Sequence, residues 1–133
     1  MTTFVDTSAF YAFLTQEDEQ HGQAARWLDR MAAEGEEQLV THNYVVIESV
    51  SLVHGRLGAA LTRTFLEDVL PVCEVRYVDR DLHVRATSAF LAGLGRRPSF
   101  VDRVSFEFMR MERIRRVFTF DRNFGRAGFE TVP

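Results

Sequence analysis

The sequence predicts an α/β fold, with a mostly parallel sheet covered on both faces. Three observations predict it. Short extended runs alternate with helix-period apolar segments along all 133 residues. Two of those runs end in an aspartate, Asp6 and Asp121, at the end of a strand where open parallel sheets form their crevice. The composition, 46% apolar and 12% aromatic with 12 Phe, is rich enough for a core burying roughly two-thirds of the unfolded surface. The length suits one domain over residues 1–133, and no internal repeat or linker divides it.

The elements follow in order. Thr2-Thr3-Phe4-Val5 is the first strand, and Asp6 leads it into a helix carrying Ala9, Phe10, Phe13 and Leu14. After the polar break Gln16 to Gln20, a helix from about His21 to Glu34 places Ala24, Trp27, Leu28 and Met31 at helical spacing, closed by Gly35. Gln38 to Thr41 is a short strand, followed by a long helix from about His42 to Leu57 that Gly58 ends. Ala59 to Leu70 reads as one amphipathic helix stopped by Pro71, and Cys73 to Val78 as a third strand. Asp79 or Asp81 caps a helix reaching about Leu94. The loop Gly93 to Pro98 precedes a helix that Ser99 opens and that runs to about Glu112. Arg116 to Phe120 is a fourth strand, Arg122 to Gly128 a turn, and Phe129 to Val132 a last strand.

Charge and cysteine content narrow the function. The net charge of −3 weighs against a protein that wraps nucleic acid nonspecifically. All 16 basic residues are Arg, which suits bidentate phosphate contact and excludes any chemistry that needs lysine. The lone Cys73 rules out an intramolecular disulfide and a multi-cysteine zinc site, as expected of a reduced, cytoplasmic compartment. No apolar run reaches the ~20 residues of a membrane span.

Four acids stand out: Asp6, Glu48, Asp102 and Asp121. Three have an ordinary structural role open to them. Asp6 fits a helix N-cap, Asp102 fits a capping box with Ser99, and Asp121 fits an Asx turn. Glu48 has no such role. It lies on the apolar helix of Val45, Val46, Ile47 and Val53, expected to be buried, and its i±3 and i±4 neighbours are Tyr44, Val45, Ser51 and Leu52, none of them a cation. A carboxylate buried without a partner is costly, so a distant Arg or a metal is expected beside it. Four acids at the ends of separate elements also suit a hard cation, which takes oxygen ligands from distant parts of a chain.

The stretches Phe4-Val5-Asp6-Thr7-Ser8, Tyr44-Val45-Val46-Ile47-Glu48, Ser99-Phe100-Val101-Asp102 and Phe118-Thr119-Phe120-Asp121-Arg122-Asn123-Phe124 resemble, in order and separation, the four acidic motifs of PIN-domain ribonucleases. The closing Ala127 to Pro133 resembles the C-terminus of the VapC toxins of bacterial toxin–antitoxin pairs. The resemblance implies a three-layer α/β/α sandwich and an endoribonuclease dependent on Mg²⁺ or Mn²⁺. Its metal would be held by Asp6, Glu48, Asp102 and Asp121, and hydrolysis would leave 5′-phosphate and 3′-hydroxyl ends. It also implies a homodimer and a cognate antitoxin partner. Thr7 and Asn123 would support the ligands, although many relatives have an acid where this chain has Asn123. Arg96, Arg97, Arg122 and Arg126 are candidates for RNA phosphate contact, as loop residues near the expected face, and a solvated surface is the plain alternative. His21, His42, His54 and His83 fit no zinc motif and are expected to be structural.

Rival readings lack their key residues. A response-regulator receiver needs a lysine, and a haloacid-dehalogenase phosphatase needs an acid where Ser8 stands. The P-loop and dinucleotide fingerprints are missing. A non-catalytic RNA-binding or interaction module and a housekeeping RNA-processing nuclease of the same fold remain as alternatives.

Overall fold

The computed structural model describes residues 1–133. A five-stranded, all-parallel sheet has the order β3-β2-β1-β4-β5. Its strands are β1 (Thr2–Val5), β2 (Gln38–His42), β3 (Glu74–Arg76), β4 (Arg116–Phe118) and β5 (Glu130–Val132). The helices are α1 (Thr7–Leu14), α2 (His21–Glu34), α3 (Asn43–Leu57), α4 (Ala59–Thr64), α5 (Arg80–Ala92), α6 (Phe100–Met111) and α7 (Arg122–Arg126). No helix is long and apolar enough to cross a membrane.

Central β1 pairs with β2 on one side (Phe4 opposite Val40) and with β4 on the other (Phe4 opposite Val117). The chain winds outward through β2 and β3, then returns to the other edge of β1 for β4 and β5. The order therefore reverses between β1 and β4, and a crevice opens at their C-terminal ends.

Strand alternation divides the core between the two faces. Phe4 stacks against Phe108 of α6, with ring centres 5.6 Å apart, and against Phe124 of α7 at 6.3 Å. On the opposite face Phe118 meets Trp27 of α2 at 4.5 Å, and Val5 and Leu39 lie beside Phe10 and Leu28. Such tilted and edge-on aromatic pairs add to the burial of their large apolar area.

Side chains trim several elements relative to the sequence expectation. The segment expected as one helix over Ala59–Leu70 is α-helical only to Thr64, then passes through a π-turn (Phe65–Val69) and a 3₁₀ turn (Leu70–Val72). Pro71 lacks an N–H and crowds the carbonyl one turn earlier, so regular hydrogen bonding fails before it. The third strand stops at Arg76 because the Val78 N–H leaves the ladder for the Asn43 side chain, 2.7 Å away. The fourth stops at Phe118 rather than Phe120, since hydroxyls of Ser8 and Thr119 take the N–H groups of Phe120 and Asp121 at 2.9 and 3.0 Å. The turn after it closes into the short α7.

Candidate active site

Asp6 follows β1 directly and caps α1. Its Oδ2 accepts from the Ser8 N–H at 3.4 Å, the Ser8 hydroxyl at 2.8 Å and the Thr119 hydroxyl at 3.0 Å. Those two hydroxyls in turn accept the backbone N–H groups of Phe120 and Asp121. Two relays thus run from the end of β4 into one oxygen of Asp6, fixing the carboxylate against the switch point of the sheet.

The other two aspartates repeat the pattern. Asp102 completes the capping box of α6: its Oδ2 accepts the Ser99 N–H at 3.3 Å, while the Ser99 hydroxyl accepts the Asp102 N–H at 3.2 Å. Asp121 caps α7 through Oδ1, which accepts the Asn123 N–H at 2.9 Å. Each aspartate spends one oxygen on a helix end and leaves the other without a protein partner.

All four acids line one open cleft with a volume of about 940 Å³. Thr7, Ser8, Ser99, Asn123, Arg96 and Arg97 share its wall. Arg122 and Arg126, expected beside these residues, sit on α7 and do not line it. Glu48 makes no salt bridge, as its neighbours suggested, but it is only partly buried. The core-facing stripe of α3 is Val45, Ser49 and Val53, and Ile47 is 62% exposed. The expected cost of a fully buried lone charge is therefore reduced, because Glu48 faces the open cleft at the edge of that stripe.

Asp6 and Asp102 are held against their preferred ionisation. Burial pushes the Asp6 carboxyl from 3.8 up to about 6, opposed by its hydrogen bonds from Ser8 and Thr119. Asp102 rises to about 7, first through burial and then through repulsion from Asp6, Asp121 and Glu48. Like charges of this kind persist together when a cation neutralises them.

The donor set tests whether a metal fits. Four carboxylates, each aspartate with an unspent oxygen, form the hard oxygen environment of Mg²⁺ or Mn²⁺. Against this, no group of three or more His, Cys, Asp or Glu side chains in the fold stands close enough together to hold a metal ion by itself. Mg²⁺ does not require one, since it keeps several waters and uses one or two direct carboxylates. The residues fit a loosely held ion that would keep several of its own waters.

Sequence reasoning named Thr7 and Asn123 as supports for the ligands and missed Ser8 and Thr119, which hold Asp6. Thr7 Oγ1 instead accepts from the Ser49 hydroxyl at 3.3 Å, tying α1 to α3. The signal was present as Asp-x-Ser at residues 6–8 and Thr-x-Asp at residues 119–121. Of the histidines, His42 is part of the core: its Nδ1 accepts the Val45 N–H, its Nε2 lies 2.9 Å from the Ser105 hydroxyl, and burial pushes it down to about 3.

Comparison with known proteins agrees with this architecture. The PIN domain family model matches residues 3–130. A curated relative, the 23S rRNA-specific endonuclease VapC20 of Mycobacterium tuberculosis strain H37Rv, is 34% identical over 132 residues, covering 97% of this chain and 96% of its own. The crystal structure of M. tuberculosis VapC20, described as a Sarcin-Ricin loop cleaving toxin, superposes with a TM-score of 0.83 at 31% identity over the full length of both chains. FitAcB of Neisseria gonorrhoeae (TM-score 0.71, 16% identity, 100% of this chain and 97% of its own) shares the fold. VapBC2 of Rickettsia felis, bound to a DNA fragment from its promoter, does so too (0.74, 13%, 98% and 97%). With its parallel sheet, its acidic cleft at the switch point and its end-to-end match to VapC20, the chain belongs to the PIN-domain family.

Proposed function

We propose that this protein is a divalent-metal-dependent endoribonuclease that acts as the toxin of a toxin–antitoxin pair. One observation carries the reading: four carboxylates on four separate elements share one cleft, Asp102 repelled by the other three, with no cation of the fold paired to any. The end-to-end likeness to an rRNA endonuclease supports the same conclusion. The likeness to VapBC2 and FitAcB shows the fold alone. An antitoxin partner and a homodimer are what the resemblance to VapC toxins implies, and a cytoplasmic setting is what the lone cysteine suggests.

In this reading Asp6, Glu48, Asp102 and Asp121 would hold Mg²⁺ or Mn²⁺. When bound, the ion supplies Lewis-acid polarisation of the phosphoryl group and a lowered pKa for water at the site. Ser8 and Thr119 keep the Asp6 carboxylate aimed and lower its proton affinity. Arg96 and Arg97, on the loop beside the acids, draw RNA phosphates into a cleft whose own charge would repel them. Asn123 presents an amide that can orient water or phosphate without adding charge.

Asp6→Asn and Glu48→Gln test this. Each is expected to abolish Mg²⁺-dependent cleavage of RNA while leaving the thermal midpoint within a few degrees of wild type. Cleavage by both variants at the wild-type rate, after removal of contaminating nuclease, would overturn it. Sequencing the 5′ ends of RNAs cut after induced expression would then identify the target.

A further inference from the structure

Phe90 is the only aromatic side chain lining the acidic cleft. It continues the buried line of Leu82 and Ala86 along α5, and its companions in the cleft, apart from Leu52 and Pro98, are acids, hydroxyls, arginines and an amide. The ring is half-buried and rigidly backed: Phe100 meets it edge-on, with centres 5.4 Å apart and planes at 80°. Phe100 directly follows the cap residue Ser99 and lies two residues before Asp102. The position of Phe90 is therefore tied to the helix that carries an acid. Phe90 lies in the last turn of α5, which leads into the loop that brings Arg96 and Arg97 to the same cleft.

In such a cleft the acids suit a cation and the arginines suit phosphates. An aromatic ring lining the same cleft matches what remains of a nucleotide, the π-face of its base. We propose that Phe90 is a stacking platform for an unpaired RNA base adjoining the phosphate that enters the acid cluster. The proposal rests on the nuclease reading above and deepens it: the substrate is single-stranded, or has a base turned out, where it meets the cleft. Stacking tolerates any base, so Phe90 sets strandedness and register rather than base identity.

The test uses Asp6→Asn protein, so that RNA is not consumed, with Mg²⁺ and short fluorescein-labelled single-stranded oligoribonucleotides followed by anisotropy. Phe90→Leu retains apolar bulk against Phe100 and is expected to weaken binding about tenfold, while Phe90→Trp retains it. An oligonucleotide scanned with single abasic sites should lose the same factor at one position on the Asp6→Asn protein, and nothing further there once Phe90→Leu is added. Such non-additivity separates stacking from a packing role, even if Phe90→Leu also lowers the thermal midpoint. Unchanged affinity in Phe90→Leu, additive losses at every abasic position, or no RNA binding by the Asp6→Asn protein would each overturn the proposal. Weakened binding of a partner protein with RNA affinity intact would mark Phe90 as a protein contact and overturn it as well. Cleavage is assayed separately on the wild type, so a failure of the nuclease reading is distinguishable from a failure of stacking.

Discussion

Each of the three cleft aspartates spends one oxygen on a helix end and leaves the other without a protein partner, so capping does not exclude the functional role proposed for these residues. Capping fixes the carboxylate; the unspent oxygen is what a cation would use. This arrangement costs stability, with a definite sign. The carboxyls of Asp6 and Asp102, raised to about 6 and about 7, favour the folded state while protonated. Their contribution is complete below about pH 4 and is lost as pH rises through 6 to 7. Without divalent cations, Asp102→Asn is therefore expected to stabilise the protein at pH 8 by on the order of 2 kcal/mol, because the amide keeps the cap and removes the repelled charge. A thermal midpoint at pH 8 no higher than wild type would contradict this. Mg²⁺ should raise the wild-type midpoint at pH 8 and leave that of Asp102→Asn nearly unmoved. Ser8→Ala combined with Thr119→Ala removes two hydrogen bonds to a charged group, each worth about 1.5–3 kcal/mol. It should push the Asp6 carboxyl higher still, so that the acid limb of a cleavage pH profile moves to higher pH. An unmoved limb would show that these hydroxyls serve packing alone.

At the scale of elements, boundaries were set by side chains intercepting backbone groups. The interception of two N–H groups after Phe118 shortens β4, and the same two hydroxyls carry the relay to Asp6. A local sequence window sees Thr119 and Phe120 as good strand formers and cannot see Ser8 arriving from 111 residues away. The start of α3 works similarly. His42 ends β2 and caps α3 through Nδ1, while its ring packs tilted against Phe4 and edge-on to Phe108, both with centres 5.3 Å away. Burial holds it neutral, so its contribution is present above about pH 6.5 and is lost as pH falls toward 3. His42→Ala removes a cap, the partner of Ser105 and a buried ring. It should cost about 3–5 kcal/mol in urea unfolding, and a loss below 1 kcal/mol would show that the core closes around the gap.

Across the whole molecule, stability and chemistry occupy opposite ends of the sheet. Beyond the start of the strands, Arg116 pairs with the nearly buried Glu37 at 2.7 Å and donates to the Thr3 hydroxyl at 3.1 Å, with Thr3 also bonded to Glu37. Arg116→Met would leave Glu37 unpaired and is expected to destabilise by about 3 kcal/mol. RNA cleavage per folded molecule should remain at the wild-type level, since the acids lie at the far end. A matching loss of specific activity would show that the two ends are coupled. The topology supplies the reason for the separation: in a parallel sheet all strand C-termini face the same way, so one end gathers residues for chemistry and the other is free for anchoring.

The sequence by itself determined the elements and their alternation. Extended runs with acidic tips, helical periodicity and turn residues are local signals, and they specify a parallel α/β fold through the short range of backbone sterics and hydrogen bonding. It also pointed to Glu48, whose helical neighbours offer no cation. Tertiary structure alone decided that Asp6, Glu48, Asp102 and Asp121 face one cleft, that Arg96 and Arg97 reach it while Arg122 and Arg126 do not, and that Ser8 and Thr119 aim Asp6. Those facts depend on the reversal of strand order between β1 and β4, which brings residues more than a hundred positions apart within hydrogen-bond reach. No local pattern encodes that reversal; it follows from packing both faces of the sheet at once.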